Sequence, residues 1–294
     1  MSLIKTYSKS FIACFILLLL FQANLQSQSL NHKFRKQYHW FIGVCGGPAQ
    51  TTISNDGTSV ISGVNITRKN SYSLSLDAGY FFSKNFGLST GIGLSPYFAQ
   101  LTLDSYSNSL DTVDSQNESY ERRISGNNIK EIQKIYYLEI PVMLNFRFPF
   151  SKAIGFYVQS GINLAIPISK KYSSSGTYTY SGYYPAYNVL LKDIPYEGFK
   201  SNVVTDITGE LKVKTYNPEL IASGGFYFWT DKQYQISVGF FYKKMLSDIS
   251  AYPPVESFQL STHENQARSF MEGSEKTSAS SMGIVVSLRY NINR

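Results

Sequence analysis

The stretch "YYLEIPVMLNFRFPF", Tyr136 to Phe150, is apolar almost throughout, yet it carries Glu139, Pro141, Asn145 and Arg147. Alternate residues separate the two kinds. Tyr136, Leu138, Ile140, Val142, Leu144, Phe146 and Phe148 form an apolar set. Tyr137, Glu139, Pro141, Met143, Asn145 and Arg147 form a mostly polar one. Successive side chains of a strand point to opposite faces, so the run reads as a strand with one apolar and one polar face. A helix would mix the two sets around its circumference. The run also exceeds the usual soluble strand of about 5–6 residues.

The same alternation recurs along the chain. Tyr72, Leu74, Leu76, Ala78, Tyr80 and Phe82 oppose Ser73, Ser75, Asp77, Gly79 and Phe81. Tyr234, Ile236, Val238, Phe240 and Tyr242 oppose Gln235, Ser237, Gly239, Phe241 and Lys243. Met282, Ile284, Val286, Leu288 and Tyr290 oppose Gly283, Ser287 and Arg289. Eight strands are expected, near 37–49, 71–83, 86–103, 131–149, 153–168, 218–230, 233–247 and 279–293. Short links, "SKN", "PFSK" and "TDKQ", alternate with long connections at about 50–70, 104–130, 169–217 and 248–278. Strict alternation puts the long connections at one end and both termini at the other.

These features predict an all-β fold: an eight-stranded antiparallel up-and-down transmembrane β-barrel, with short periplasmic turns and long extracellular loops. The apolar set then faces lipid, where closure of the barrel pairs every backbone group. The polar set faces a narrow interior, in which Asp77, Glu139, Arg147, Lys243 and Arg289 are expected to form a polar network. Pro141 cannot donate to a ladder, so an irregularity is expected there. The alternative architecture is a soluble lipocalin-like ligand-binding barrel, whose apolar face would point inward.

The first residues, "MSLIKTYSKSFIACFILLLLFQANLQSQS", place Lys5 and Lys9 before an apolar core from Phe11 to Phe21. This is the plan of a secretory signal peptide, expected at 1–28, leaving a single domain at 29–294. Loss of the two lysines takes the net charge from +7 to +5. Cys45 is then the one remaining cysteine, so no internal disulfide is expected. Only 16% of residues are charged, with no dense basic patch, and nucleic acid is not an expected partner. The predicted location is the outer membrane of a bacterial cell.

With Tyr137-Leu138-Glu139-Ile140-Pro141 in the fourth strand, a signal peptide, and strands rich in Gly and aromatics, the chain resembles the PorT-like outer-membrane β-barrel family. The resemblance covers about 36–294 and implies an outer-membrane barrel. Its namesake is associated with protein secretion, so envelope or secretion-machinery proteins join outer-membrane lipid as implied partners.

Eight strands enclose an interior only wide enough for side chains, so no open pore is expected. No cofactor or metal motif is present. His263, beside Ser261 and Glu264, is the one place where a lipid-modifying enzyme could be assembled; it is read as a solvated loop residue, and no enzyme is predicted. The expected role is a binding, scaffold or secretion-associated assembly protein. The third long connection, with Tyr178, Tyr180, Tyr183, Tyr184 and Tyr187 among Ser and Gly, has the composition of an adaptable binding surface and is the candidate for recognising an extracellular ligand.

Overall fold

The computed structural model describes residues 39–56, 63–151, 153–229, 233–253, 258–264 and 266–292. The expected signal peptide, 1–28, lies outside them. The strands are β1 (His39–Asp56), β2 (Asn65–Phe81), β3 (Phe86–Val113), β4 (Ser119–Pro149), β5 (Ile154–Tyr184), β6 (Val189–Leu191), β7 (Lys200–Glu210), β8 (Asn217–Trp229), β9 (Tyr234–Met245) and β10 (Lys276–Ile292). Eight of them form a ring in the order β4-β3-β2-β1-β10-β9-β8-β5, closed by β4 against β5. Every neighbouring pair is antiparallel, and Trp40 lies opposite Ile292 where the first and last strands meet. Closure leaves the ring without an edge, which is what a strand structure in lipid requires.

The opening stretch faces as its alternation demands. Tyr137, Glu139, Asn145 and Arg147 are buried inside, while Val142 and Leu144 are 53% and 51% exposed on the outer wall. Trp40, Ile42, Leu74, Leu76, Ile92, Ile162, Phe240 and Val286 continue that exposed apolar wall around the ring. An apolar surface of this extent belongs in lipid. It is the reverse of a lipocalin, and the soluble-barrel alternative is set aside on this ground. At Pro141 the paired register of β3 and β4 passes from Val142 to Glu139 and resumes unshifted, so the ladder is interrupted without a bulge.

Three strands run far past the membrane. β3, β4 and β5 have 28, 31 and 31 residues, against roughly 9–11 needed to span a bilayer. The connections expected at 104–130 and 169–217 are therefore mostly sheet rather than loop: only 114–118 turns between β3 and β4, and 169–217 contains the end of β5, then β6 and β7. The reason lies in side-chain polarity, which inverts along β4. Below Tyr136 the apolar residues point out. Above it Ile135, Ile129, Ile124 and Tyr120 are buried inside, and Lys134, Lys130, Asn127 and Arg123 point out. The strand is continuous; its outer solvent changes from lipid to water.

Inside this extension a core of Tyr97, Leu101, Ile124, Ile135, Tyr178 and Tyr180 from the strands packs with Leu211, Met245, Ile249, Phe258, Leu260, Phe270 and Met271. The last connection thus folds into the mouth of the barrel. Close approach needs small residues at the opposite end. A Cβ on Gly79 would stand 2.5 Å from the Phe41 ring and 2.5 Å from the Leu88 carbonyl oxygen.

Candidate functional site

The barrel interior is built in layers. At the turn end, the Arg147 guanidinium lies 3.5 Å from the Phe81 ring centroid and 5.9 Å from that of Tyr227. Above it, Arg289 Nη2 pairs with Asp77 at 2.8 Å, and Cys45 Sγ donates to the same carboxylate at 3.4 Å. Next, Lys243 Nζ reaches Glu139 at 2.6 Å and donates to Ser95 at 2.9 Å and Ser73 at 3.1 Å. Higher still, Glu219 accepts from Asn163 Nδ2 at 2.7 Å and from the Tyr97 hydroxyl. The rings of Tyr97 and Tyr137 meet edge to face, 5.4 Å apart.

Four of the five residues expected in the network thus form two separate ion pairs, Asp77 with Arg289 and Glu139 with Lys243. Arg147 joins neither: among the described residues it has no ion-pair partner and rests on aromatic faces instead. Asn163 and Glu219 were missed by sequence reasoning. Glu219 is a lone acid at an inward position of "NPELIASGG", and that parity was the available signal. Among these layers lies a cavity of about 80 Å³, bordered by Cys45, Ser75, Asp77, Glu139, Lys243 and Arg289. Pockets for small ligands are typically about 300–1,000 Å³, so this one suits water.

Outside the membrane, β3, β4, β5 and β7 form a projecting sheet. Its tip is tied by tyrosines. Asp114 Oδ1 accepts the backbone N–H groups of Gln116 and Glu118, both at 2.9 Å, and the Tyr184 hydroxyl donates to Asp114 Oδ2 at 3.0 Å. The Glu118 N–H holds the Asp114 carboxyl below its ordinary range, and burial pushes the Tyr184 hydroxyl up to about 12. Tyr184 stacks on Tyr120 with centroids 5.2 Å apart, beside Phe199. Arg123 lies 4.1 Å from the Tyr183 ring centroid and pairs with Glu121.

The five candidate recognition tyrosines therefore part company. Tyr178 and Tyr180 are fully buried and Tyr184 is 7% exposed, so these three build the sheet. Tyr183 is half-buried, and Tyr187 is exposed while donating to Glu118 at 2.8 Å. On the inner face, Glu131 is fully buried and accepts from Gln133 at 2.7 Å, Ser269 at 2.7 Å and the Phe270 N–H at 3.0 Å. Burial raises its carboxyl to about 7. It clasps the last connection to the barrel.

A family model described as outer membrane protein beta-barrel domain matches residues 26–294. The chain belongs to this family. It is thus an outer-membrane β-barrel protein, located in the bacterial outer membrane. No curated protein matches the chain. Among solved structures it is similar to Neisserial surface protein A (TM-score 0.39, 9% identity, 86% of this chain and 97% of that one). It is also similar to OprG of Pseudomonas aeruginosa (0.33, 14%, 88% and 98%) and to Ail, the attachment invasion locus protein of Yersinia pestis (0.33, 12%, 86% and 99%).

Within this outer-membrane β-barrel protein, the Tyr137–Pro141 motif serves the interior, through Tyr137 against Tyr97 and Glu139 against Lys243. Ser261, His263 and Glu264 go to separate partners: Ser261 Oγ to the Tyr180 hydroxyl at 2.7 Å, the His263 ring to Thr262 at 3.1 Å, and Glu264 to Lys200. Among the described residues, no cluster of His, Cys, Asp and Glu is placed to hold a metal ion.

Proposed function

We propose that this protein is a non-enzymatic binding protein of the cell surface, in which a filled barrel anchors the projecting sheet as a recognition platform. The observation that carries the reading is strand β7. It pairs with β5 along one side, and among the described residues no strand pairs with its other side. Val204, on its outer face, is 77% exposed. An unpaired edge displays a row of N–H and C=O groups that an extended peptide can pair with, with side-chain pockets adding specificity. The tyrosine ties at the tip and the buried Tyr178 and Tyr180 keep that edge in place. The favoured ligand is an extended segment of an extracellular protein.

A photo-crosslinking residue at Val204 in intact cells tests this. An adduct is expected from position 204 that is lost when Thr208, also outward on β7, is replaced by Lys, because edge lysines deter strand addition. Adducts obtained only from a crosslinker at Phe150, in a short turn, would replace the reading with a periplasmic one: the secretion-associated assembly role that the PorT-like resemblance implies.

A further inference from the structure

Just above the apolar wall, two lysines face each other. Lys134 on β4 is directly opposite Lys171 on β5, and both side chains are exposed on the outer face. Cβ atoms of opposite residues on adjacent strands lie about 4.5–5.5 Å apart, and like charges so placed repel. Among the described residues neither lysine has an ion-pair partner. The nearest acid in register is Glu210, opposite Lys171 on β7, and its carboxylate is engaged by Lys170 at 3.7 Å. Lys130, the second outward position above Lys134, adds a third positive charge.

Which lysine of β5 faces Lys134 is set by a specific irregularity. Between β4 and β5 the register runs Tyr137 opposite Pro167, then Tyr136 opposite Ser169, so Ile168 is an extra residue on β5. One inserted residue flips the parity of everything beyond it. Without it, Lys134 would lie opposite Lys170, and Lys171 would point in, opposite Gln133. The bulge turns Lys171 to the outer face and presents Ile168 there at 60% exposure.

What lies directly below the lysines fixes the chemistry. Tyr136 is the next outward residue below Lys134, and its ring meets Phe98 edge to face at 5.7 Å, in the position of an interfacial aromatic girdle. Ile168, Leu164 and Ile162 continue downward on β5, each an exposed apolar residue. The surface is thus cationic at headgroup level and apolar immediately beneath. A free anion would use the first part alone; a phosphate carried on acyl chains uses both.

We infer that Lys134 and Lys171, with Lys130 behind them, bind the phosphate of an anionic outer-leaflet lipid whose chains lie along Ile168, Leu164 and Tyr136. The site is independent of the β7 edge and would stand if the recognition reading failed.

The test is native mass spectrometry of the whole barrel in a neutral maltoside detergent, titrated with a short-chain phosphatidic acid and, as the uncharged comparison, the diacylglycerol with the same chains. Phosphatidic acid is expected to bind and diacylglycerol to bind much more weakly. A lysine near an anionic interface is worth about fivefold in affinity, so Lys134→Gln should weaken phosphatidic acid binding about fivefold and Lys134→Gln/Lys171→Gln about 30-fold. Arg123→Gln/Lys192→Gln removes the same charge at the far tip of the projecting sheet, where Arg123 lies opposite Ser181 and Lys192 follows Leu191, opposite Gly182, and should change binding less than about twofold. All four changed residues are exposed, and heat-modifiable migration checks that each variant is folded. Unchanged affinity in the Lys134/Lys171 variant overturns the proposal. So does an equal loss in the Arg123/Lys192 variant, which would mean general charge attraction. Inorganic phosphate that displaces the lipid completely at millimolar concentration would make this a free-anion site instead.

Discussion

Glu139→Gln removes one half of the buried pair at the centre of the barrel. Glu139 and Lys243 are each 4% exposed, and their charged atoms are 2.6 Å apart. Breaking a buried pair by removing one partner costs about 3–5 kcal/mol, because the surviving charge is left uncompensated. Here the lower end applies. Lys243 Nζ keeps the hydroxyls of Ser73 and Ser95, at 3.1 and 2.9 Å, and the Gln oxygen can still accept from it. The expected loss is about 3 kcal/mol, more than a hundredfold in the folding equilibrium. Adding Lys243→Met to Glu139→Gln removes the orphaned cation and should recover most of that loss, since an apolar replacement of similar volume is often neutral or better. The assay is urea-dependent folding into phosphatidylcholine vesicles, followed by the fluorescence of Trp40 and Trp229 and by heat-modifiable migration. Glu139→Gln within about 0.5 kcal/mol of the parent, or a double variant no more stable than the single one, would refute the reasoning.

Val142→Arg, at a 53% exposed position of the lipid wall, should lose about 2–4 kcal/mol of folding stability in vesicles, whereas Tyr196→Arg, 86% exposed outside the membrane, should change little. Glu131 titrates near 7 when folded, above its ordinary 4.5, so the folded chain binds the extra proton. Its contribution to stability is fully present below about 4.5 and is lost as pH rises through about 7, by about 3 kcal/mol in total. Hydrogen exchange of Phe270 and Met271 should therefore quicken from about pH 5 to about pH 8 after correction for intrinsic rates, and Glu131→Gln should flatten that change. Protease added to intact cells should cut at 114–118 and 185–199 and spare the paired strands on either side; rapid cutting within 119–135 would contradict the projecting sheet.

The barrel was legible in the sequence because two solvents act on alternate residues. Lipid demands apolar side chains at Leu138, Val142 and Leu144, and a narrow interior demands paired polar ones at Glu139, Asp77, Lys243 and Arg289. The projecting sheet was not legible in the same way. Its outer face meets water, so Ser173, Ser175, Thr177 and Thr179 give it the composition of a loop. The surviving signal was weaker: Tyr172, Tyr178 and Tyr180 keep period 2 while their polar neighbours point outward. Ser174, also inward and fully buried, falls within that same alternation. The ion-pair partners follow from which inward positions share a height, and that depends on register. Register is shifted by events such as the extra residue at Ile168, which nothing in a single strand's pattern specifies. Arg147 shows the limit from the other side: its inward direction was readable, but not that it would settle on Phe81 rather than on a carboxylate.

The central claim is that the apolar face of these strands is the outer wall of a closed barrel in lipid. Single nitroxide labels at each position from 138 to 147, in protein folded into phospholipid vesicles, measure this directly. Collision with oxygen, which concentrates in the bilayer, should be high at 138, 140, 142, 144 and 146 and low at 139, 141, 143, 145 and 147. High accessibility of the odd positions to a water-soluble nickel reagent, with the even positions shielded from oxygen, would mean that the barrel is built the other way round.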